Sequence, residues 1–249
     1  MVELKKFATK ESAAKDVAEH IVNLINKFNP NADKPFVMGL PTGSSPEPVY
    51  KELVSLYKSG KVSFQNVVTF NMDEYCGLDA NHEQSYRYFM DHHLFNHIDI
   101  KPENINILNG MAEDKKAECG AYEKKIAKFA PFQVFMGGIG PEGHIAFNER
   151  GSARNSLTRE IQLEESTIIA NSRFFNGDMS KVPKTALTVG ISTVLDNSKE
   201  LIILVFGENK REILHKTLTA PISSDIPSTF IREHDNAIIY CDNDASKDL

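Results

Sequence analysis

Residues 136–149 carry more potential chemistry than any other stretch of the 249-residue chain. Four glycines flank a proline there, and two carboxylates and a histidine, Glu142, His144 and Glu149, stand within eight residues. Histidine has an unperturbed pKa near neutrality, so it can accept or donate a proton at physiological pH. The glycines permit backbone geometries and close approaches that a Cβ would forbid. This composition predicts an active-site loop.

A purely structural interpretation of the same loop stays open. Glycine patterns are weak evidence by themselves, and a tight connection with a structural His144 would show the same residues. The preceding run, residues 132–136, is short and apolar and is closed by Gly137 and Gly138, which is typical of a buried strand that ends in a loop. Ligands bind at this end of the strands in open α/β folds. Two further loops of similar kind favour the active-site interpretation.

The second loop has the composition of an anion site. Residues 35–40 are strand-like and lead into the turn Thr-Gly-Ser-Ser at residues 42–45, after which residues 47–57 carry apolar side chains at helical spacing. The turn would present backbone N–H groups and hydroxyls at a helix N-terminus, which is a favourable place for a phosphate. The alternative is that Ser44 or Ser45 only caps the helix.

The third loop places a carboxylate just beyond a strand. Residues 67–71 form another strand candidate, and Asp73 follows almost immediately. A carboxylate at a strand tip could serve as a general base if its pocket raised the pKa towards neutrality. A solvated turn or a helix cap would explain a single Asp at such a position at least as well.

Apolar periodicity around these loops alternates between helix and strand. Helical spacing covers residues 10–28, 83–97, 113–129 and 182–195, and continuous apolar runs at residues 201–206 and 237–240 indicate strands buried on both faces. Such alternation predicts an α/β fold, a doubly wound, mainly parallel sheet with helices on both faces, which is Rossmann-like. The carboxyl ends of its strands would bring the three loops together.

Composition limits the class of protein. With 41% hydrophobic residues and no linker-like break, we expect residues 1–249 to form a single domain. A net charge of −6 without a basic cluster argues against a nucleic-acid partner. The lack of a signal-peptide pattern and of a long apolar run argues against a membrane partner and favours the cytosol. The sequence leaves the oligomeric state open and is compatible with a homo-oligomer.

Neither a metal site nor a disulfide framework is predicted. Cys76, Cys119 and Cys241 are widely spaced and have no CxxC or CxxH partner, so we expect reduced thiols. His93 and His97 have the i,i+4 spacing of metal ligands on a helix, but no HExxH context accompanies them.

Six segments carry a resemblance to a known family. They are residues 40–46, 69–75, 137–149, 170–175, 182–190 and 204–207 with Lys210. In this order they resemble the signature segments of the glucosamine-6-phosphate deaminases, the glucosamine/galactosamine-6-phosphate isomerase family, from near the amino terminus to about residue 215. Enzymes of that family convert glucosamine 6-phosphate to fructose 6-phosphate and ammonia and use no cofactor.

The resemblance implies roles for the candidate carboxylates and the histidine. His144 would assist opening of the sugar ring, and Asp73 would move a proton between C2 and C1. Glu142 and Glu149 would orient His144 and set its protonation, since a carboxylate bonded to an imidazole fixes its tautomer and raises its pKa.

The resemblance also implies where the phosphate of a small sugar-phosphate substrate would bind. It would lie on the turn of Gly43, Ser44 and Ser45, with Arg173 and Lys210 as cationic partners. Arg offers a planar fork of donors and Lys a compact charge, and both complement a helix N-terminus.

The chain departs from the family pattern at Glu142, where members commonly have Asp. The extra methylene would change the expected hydrogen bond to His144 unless the backbone adjusts. Retained activity is nevertheless the expectation.

A second departure concerns regulation. Allosterically activated bacterial members bind an N-acetylated sugar phosphate between subunits through a serine-rich segment and basic residues. Ser152 and Arg159 match that site here, whereas Ala153 and Ile161 replace a serine and a lysine. We therefore expect the activator site to be lost.

Two other functions compete with the deaminase reaction. A 6-phosphogluconolactonase shares the fold and hydrolyses a sugar-phosphate lactone, but its sequence should lack the motifs found here at residues 71–75 and 170–175. A sugar-phosphate-sensing regulator would need a DNA-binding segment, for which the amino-terminal helix leaves no room.

Overall fold

A parallel sheet forms the centre of the protein in a computed structural model that describes residues 2–247 and 249. The strands in chain order are β1 (Glu3–Phe7), β2 (Phe36–Leu40), β3 (Val67–Asn71), β4 (Asp73–Tyr75), β5 (Ile105–Asn106), β6 (Val134–Gly138), β7 (Arg159–Gln162), β8 (Thr185–Thr188), β9 (Leu201–Val205) and β10 (Ala237–Asp242). Seven of them pair in the order β1-β10-β9-β6-β2-β3-β5, and all these pairings are parallel.

Helices cover both faces of this sheet. They are α1 (Lys10–Phe28), α2 (Glu47–Lys58), α3 (Tyr86–His93), α4 (Lys115–Phe129), α5 (Glu165–Asn171), α6 (Ile191–Leu195) and α7 (Arg211–Thr219). The apolar faces of α1, α2 and α3 share one buried cluster with the sheet, and those of α4, α6 and α7 share another. The predicted doubly wound α/β fold is therefore confirmed.

Strand β9 shows why the central strands are apolar throughout. Leu201, Ile203 and Val205 belong to one buried cluster, while Ile202 and Leu204 belong to the other. Successive side chains of a strand point to opposite faces, so a sheet covered on both sides needs apolar residues at every position.

Helix α1 begins and ends where its sequence provides caps. The Thr9 side chain accepts a hydrogen bond from the Ser12 N–H, and the Ser12 hydroxyl in turn accepts one from the Thr9 N–H. Asn29 ends the helix in the left-handed conformation with φ 52°. The predicted span of residues 10–28 is confirmed.

A second, three-stranded antiparallel sheet, in the order β4-β8-β7, corrects one prediction. The predicted helix over residues 182–195 is wrong in its first half, where Thr185–Thr188 is strand β8, and only Ile191–Leu195 is helical. The β-branched residues Thr185, Thr188 and Val189 favour an extended backbone, and pairing with strands on both sides outweighs their helical spacing.

Other boundaries moved by a few residues. The predicted helix over residues 83–97 is split into α3 and a separate turn at Phe95–His97, and that over residues 113–129 begins at Lys115, capped by Asp114. Strands β1, β4, β5, β7 and β8 were not predicted. No helix among the described residues is long and apolar enough to cross a membrane.

Candidate active site

A pocket of about 420 Å³ opens at the carboxyl ends of the parallel strands. Its walls come from the turn after β2, from β4, from the loop after β6, from α5 with the turn that follows it, and from the segment after β9. Its size suits a small molecule. The predicted site residues that line it are Gly43, Ser44, Ser45, Asp73, His144, Arg173 and Lys210.

His144 and Glu149 form a pair beside this pocket. His144 Nδ1 lies 3.4 Å from Glu149 Oε2, which is long for a hydrogen bond, and Nδ1 is buried with no closer partner among the described residues. The Thr167 hydroxyl donates to Glu149 Oε1 at 2.6 Å. Burial works to raise the pKa of Glu149, but the contacts with His144 and Thr167 outweigh it and hold this pKa below its ordinary value. Glu149 is therefore an ionised partner that can orient the imidazole.

Backbone geometry makes room for the histidine. A Cβ on Gly140 would stand only 2.0 Å from His144 Nε2, so no larger residue fits there with the ring in place. Two other residues of the loop, unlike Gly140, have a positive φ: Gly143 at 87° and Ala146 at 52°. The second is unusual for a residue with a side chain, and such conformations cluster where function demands them.

Asp73 stands on β4 in the wall of the pocket, with only 5% of its surface exposed. Burial, followed by the neighbouring charge of Glu74, raises the pKa of Asp73 well above its ordinary value. Pairing of Asp73 with Thr188 of β8 fixes the backbone at this position. A carboxylate with a raised pKa is a stronger base than an exposed one and can also return the proton it takes.

Glu74 is a buried carboxyl group that the sequence reasoning did not select. It accepts hydrogen bonds from the backbone N–H groups of Tyr75 at 2.8 Å and of Tyr86 and Arg87 at 3.0 Å, the latter two at the start of α3. Burial raises the pKa of Glu74 to about 7 against these three donors. It thus anchors the pocket wall formed by the beginning of α3 to strand β4.

The phosphate candidates line the same pocket. Gly43 has φ 98° and open space where a Cβ would stand, and the turn of residues 42–45 precedes α2. Lys210 Nζ donates to the Ile139 carbonyl at 2.6 Å. Burial, and then the charge of Arg173, lower the pKa of Lys210 to about 8. Two cations that repel each other beside a turn rich in N–H groups form a place for an anion.

Glu142 is not brought into this arrangement. Its side chain is exposed and lines a neighbouring groove together with Glu149, Arg150 and Glu212. No hydrogen bond joins it to His144 among the described residues. Its predicted role in orienting His144 stays a prediction, carried by the motif alone.

Several residues that line the pocket were not predicted from the sequence, although two of them lie in segments that match the family. Tyr75 accepts a hydrogen bond from Asn171 Nδ2 at 2.8 Å and packs against Tyr86 with ring centroids 4.8 Å apart and the ring planes at 48°. Tyr75 and Asn171 lie inside the matched segments 69–75 and 170–175, so those motifs could have identified them. Thr167 and Tyr86 lie outside every matched segment and could be found only from the fold.

The residues that matched an activator site are engaged within the chain. Arg159 donates to Asn148 Oδ1 at 2.9 Å and to the Ser152 hydroxyl at 3.0 Å. Burial lowers the pKa of Arg159, and no carboxylate compensates its charge in the part of the chain that the structure describes. Ile161 packs against an apolar cluster next to β8.

The cysteines and histidines outside the pocket form no further site. Cys76, Cys119 and Cys241 are free thiols. Within the described ranges, no group of three or more His, Cys, Asp or Glu side chains could hold a metal ion.

Comparisons with known proteins bear on this geometry. A family model described as "Glucosamine-6-phosphate isomerases/6-phosphogluconolactonase" matches residues 8–240. The chain belongs to this family. Among curated relatives, a glucosamine-6-phosphate isomerase of Candida albicans is 55% identical over 233 residues, covering 93% of this chain and 94% of that one. A glucosamine-6-phosphate deaminase of Borreliella burgdorferi is 52% identical, with coverage of 97% and 90%.

Solved structures of the family agree with the fold. A monomeric glucosamine-6-phosphate deaminase superposes with a TM-score of 0.94 at 36% identity, and the match covers 99% of both chains. The 6-phosphogluconolactonase of Trypanosoma brucei superposes with a TM-score of 0.78 at 16% identity, covering 100% of this chain and 99% of that one, and so shares the fold alone.

Proposed function

We propose that this protein converts glucosamine 6-phosphate and water to fructose 6-phosphate and ammonia. One observation carries the proposal: a buried Asp73 and His144, which is paired with Glu149 beside the pocket, line the same pocket as Lys210 and Arg173. Relatives at 52–55% identity that bear the names glucosamine-6-phosphate deaminase or isomerase support the same reaction.

The phosphate of the substrate binds at the turn of residues 42–45. Arg173 and Lys210 supply the charge, and Lys210 leaves the Ile139 carbonyl or shares its protons with the phosphate, since an ammonium has three donors. The anion stabilises the protonated Lys210 and relieves its repulsion with Arg173. Binding energy from this remote group holds the sugar in place for the chemistry at C1 and C2.

His144 opens the sugar ring. The ring opens when the hydroxyl on C1 loses a proton and the ring oxygen gains one, and an imidazole can carry that proton between the two oxygens. Glu149 fixes the imidazole from Nδ1, so that Nε2 is the nitrogen that meets the substrate.

Asp73 then performs the isomerisation. It takes the proton from C2 of the open-chain aldehyde and delivers it to C1, while the carbonyl oxygen on C1 gains a proton and the amine on C2 loses one, so that C1 becomes CH2OH and C2 becomes an imine. Water adds to the imine and ammonia leaves, giving the ketone. The raised pKa of Asp73 helps it both to take the proton from C2 and to hold it until it is delivered to C1.

A paired assay tests the reaction. Purified protein should release ammonia from glucosamine 6-phosphate and form fructose 6-phosphate in equal amounts, and should not hydrolyse 6-phosphogluconolactone. Lactone hydrolysis without ammonia release would overturn the proposal in favour of the lactonases, which share this fold.

We also propose that residues 1–249 form one domain. Strand β1 near the amino terminus pairs with β10 near the carboxyl terminus, so both ends of the chain belong to the same sheet. A single cooperative unfolding transition is expected, and two separable transitions would contradict it. We place the enzyme in the cytosol, which cell fractionation would test.

A further inference from the structure

Lys10 connects α1 to the turn that we assign to the phosphate. It is the first residue of α1, and its Nζ donates to the Ser44 carbonyl at 2.5 Å across 34 positions of sequence. A cation in the first turn of a helix is disfavoured by the helix dipole. The contact with Ser44 gives this unfavourable position a structural reason.

Helix α1 is a rigid support for such a contact. Ala14, Val17, Ala18 and Ile21 on its inner face are completely buried. The Thr9 cap fixes the first turn, from which the Lys10 side chain extends. The ammonium is thus held at a defined place beside the turn of residues 42–45.

The contact determines which way one peptide group faces. In a trans peptide the C=O and the following N–H point in opposite directions. Lys10 lines the groove outside the pocket, whereas Ser44 and Ser45 line the pocket. With the Ser44 carbonyl directed towards Lys10, the Ser45 N–H points away from Lys10, and Ser45 lines the pocket.

The turn has little else to fix this orientation. Gly43, with φ 98°, has no side chain to resist rotation of the backbone. Among the described residues, the N–H groups of Gly43, Ser44 and Ser45 have no hydrogen-bond partner in the protein. Tyr50 holds only the start of the turn, through the Pro41 carbonyl at 2.5 Å.

We propose that Lys10 is a positioning residue for phosphate binding, which fixes the Ser44–Ser45 peptide so that the Ser45 N–H faces the substrate. The inference rests on the proposed phosphate site. Lys10 acts through the backbone and not by touching the substrate, so its loss weakens binding of the phosphate and leaves the steps at C1 and C2 unchanged.

Three variants of the full-length enzyme test this role. Lys10→Met removes the donor, Lys10→Arg keeps one, and Lys51→Met is the matched control, since Lys51 on α2 lines the same groove and, in the part of the chain that the structure describes, donates no hydrogen bond to Ser44. KM for glucosamine 6-phosphate, kcat, the inhibition constant of inorganic phosphate and the melting temperature are measured for each.

We expect Lys10→Met to raise KM and the inhibition constant of phosphate by the same factor, about three- to tenfold, with kcat within twofold of the wild-type value. Lys10→Arg should restore most of the loss, and Lys51→Met should behave as the wild type. An unchanged inhibition constant in folded Lys10→Met, or an equal change in Lys51→Met, would overturn the inference. A fall in kcat together with the melting temperature would also overturn it, because Lys10 would then only stabilise the fold.

Arg173→Met separates this inference from the site on which it rests. If Arg173→Met raises the inhibition constant of phosphate and Lys10→Met does not, Lys10 has no positioning role. If neither does, the phosphate site itself is wrong. Should Lys10→Met fail to fold, Lys10→Ala carries the same test, because it also removes the donor.

Discussion

We call the part of the pocket lined by Lys210 and Arg173 its cationic end and the part lined by Asp73 its carboxyl end, where Glu74 is buried next to Asp73 on β4 without lining the pocket. Lys210 and Arg173 repel each other, and the pKa of Lys210 is lowered to about 8 by its burial and by Arg173. Asp73 and Glu74 are both buried, and the pKa of each is raised by that burial. Each end destabilises its own charges, with opposite sign.

The two ends differ in what compensates their unfavourable buried charges. The cations are relieved by an anion, because a phosphate compensates both charges at once. The carboxyl groups are relieved by a proton, because a neutral carboxyl needs no compensation in a buried site. The first is therefore suited to binding and the second to proton transfer, and substitutions at each end should affect different kinetic constants.

The largest effect is expected at the carboxyl end. Asp73→Asn removes the proposed base while it keeps the size and shape of the side chain. Turnover of glucosamine 6-phosphate should fall at least about a hundredfold, with KM changed little. Asp79→Asn, the same chemical change at an exposed position six residues away, is the control and should leave kcat unchanged. Near-normal turnover in folded Asp73→Asn would show that the base lies elsewhere.

A smaller effect on a different constant is expected at the cationic end. Lys210→Met and Arg173→Met each remove a charged donor, so KM should rise about tenfold to a hundredfold while kcat changes less. Lys181→Met is the matched control, because Lys181 is exposed and lies close to Asp178, away from the pocket. Unphosphorylated glucosamine should be a very poor substrate. Comparable efficiency with and without the phosphate would remove the difference between the two ends.

The pH dependence of kcat/KM sharpens the comparison. In the proposed site Lys210 binds phosphate in its protonated form, and its pKa in the empty pocket is about 8, so kcat/KM should decline above about pH 8. The decline approaches tenfold per pH unit once Lys210 is mostly neutral. The bound phosphate raises the pKa of Lys210 again, so kcat should show no such decline.

Lys210→Arg provides the control for this prediction. An arginine stays charged at these pH values, so the decline should disappear even if affinity is lower throughout. Titration of the substrate is the same for both enzymes and cancels in their ratio. A parallel decline in wild type and Lys210→Arg would assign it to another group.

Strands β9 and β8 show which parts of the fold could be predicted from the sequence. Strand β9 is apolar at every position because both faces of its sheet are covered, and this pattern identifies it from five residues. Strand β8 has no such pattern, and its structure depends on pairing with two other strands. Strand β4 ends 110 positions before β8 begins, and β7 ends 23 positions before it. Nonlocal pairing of this kind leaves little local signal.

The candidate site divides in a similar way. Asp73, His144, Arg173 and Lys210 are named by motif and meet in the pocket. Their pKa shifts could not be predicted, because burial and distance between charges exist only in the fold. Glu142 shows the converse, since it belongs to the motif and yet lies exposed outside the pocket.

The smallest effect is expected from a sugar-phosphate activator. Two cations and a turn of free N–H groups form the phosphate end of the pocket, whereas Arg159 is a single cation already bonded to Asn148 and Ser152. Ala153 has no hydroxyl and Ile161 no charge to add to it. A phosphate there would have to displace these bonds and would gain only one charged partner.

N-acetylglucosamine 6-phosphate should therefore change the apparent affinity for substrate by less than about twofold, and saturation curves should be hyperbolic without it. Initial rates over a full range of substrate concentration, with and without the effector, measure both. Arg159→Met should then leave the curves unchanged with the effector present or absent. Sigmoidal curves that the effector makes hyperbolic in the wild type but not in Arg159→Met would show that an activator site works despite Ala153 and Ile161.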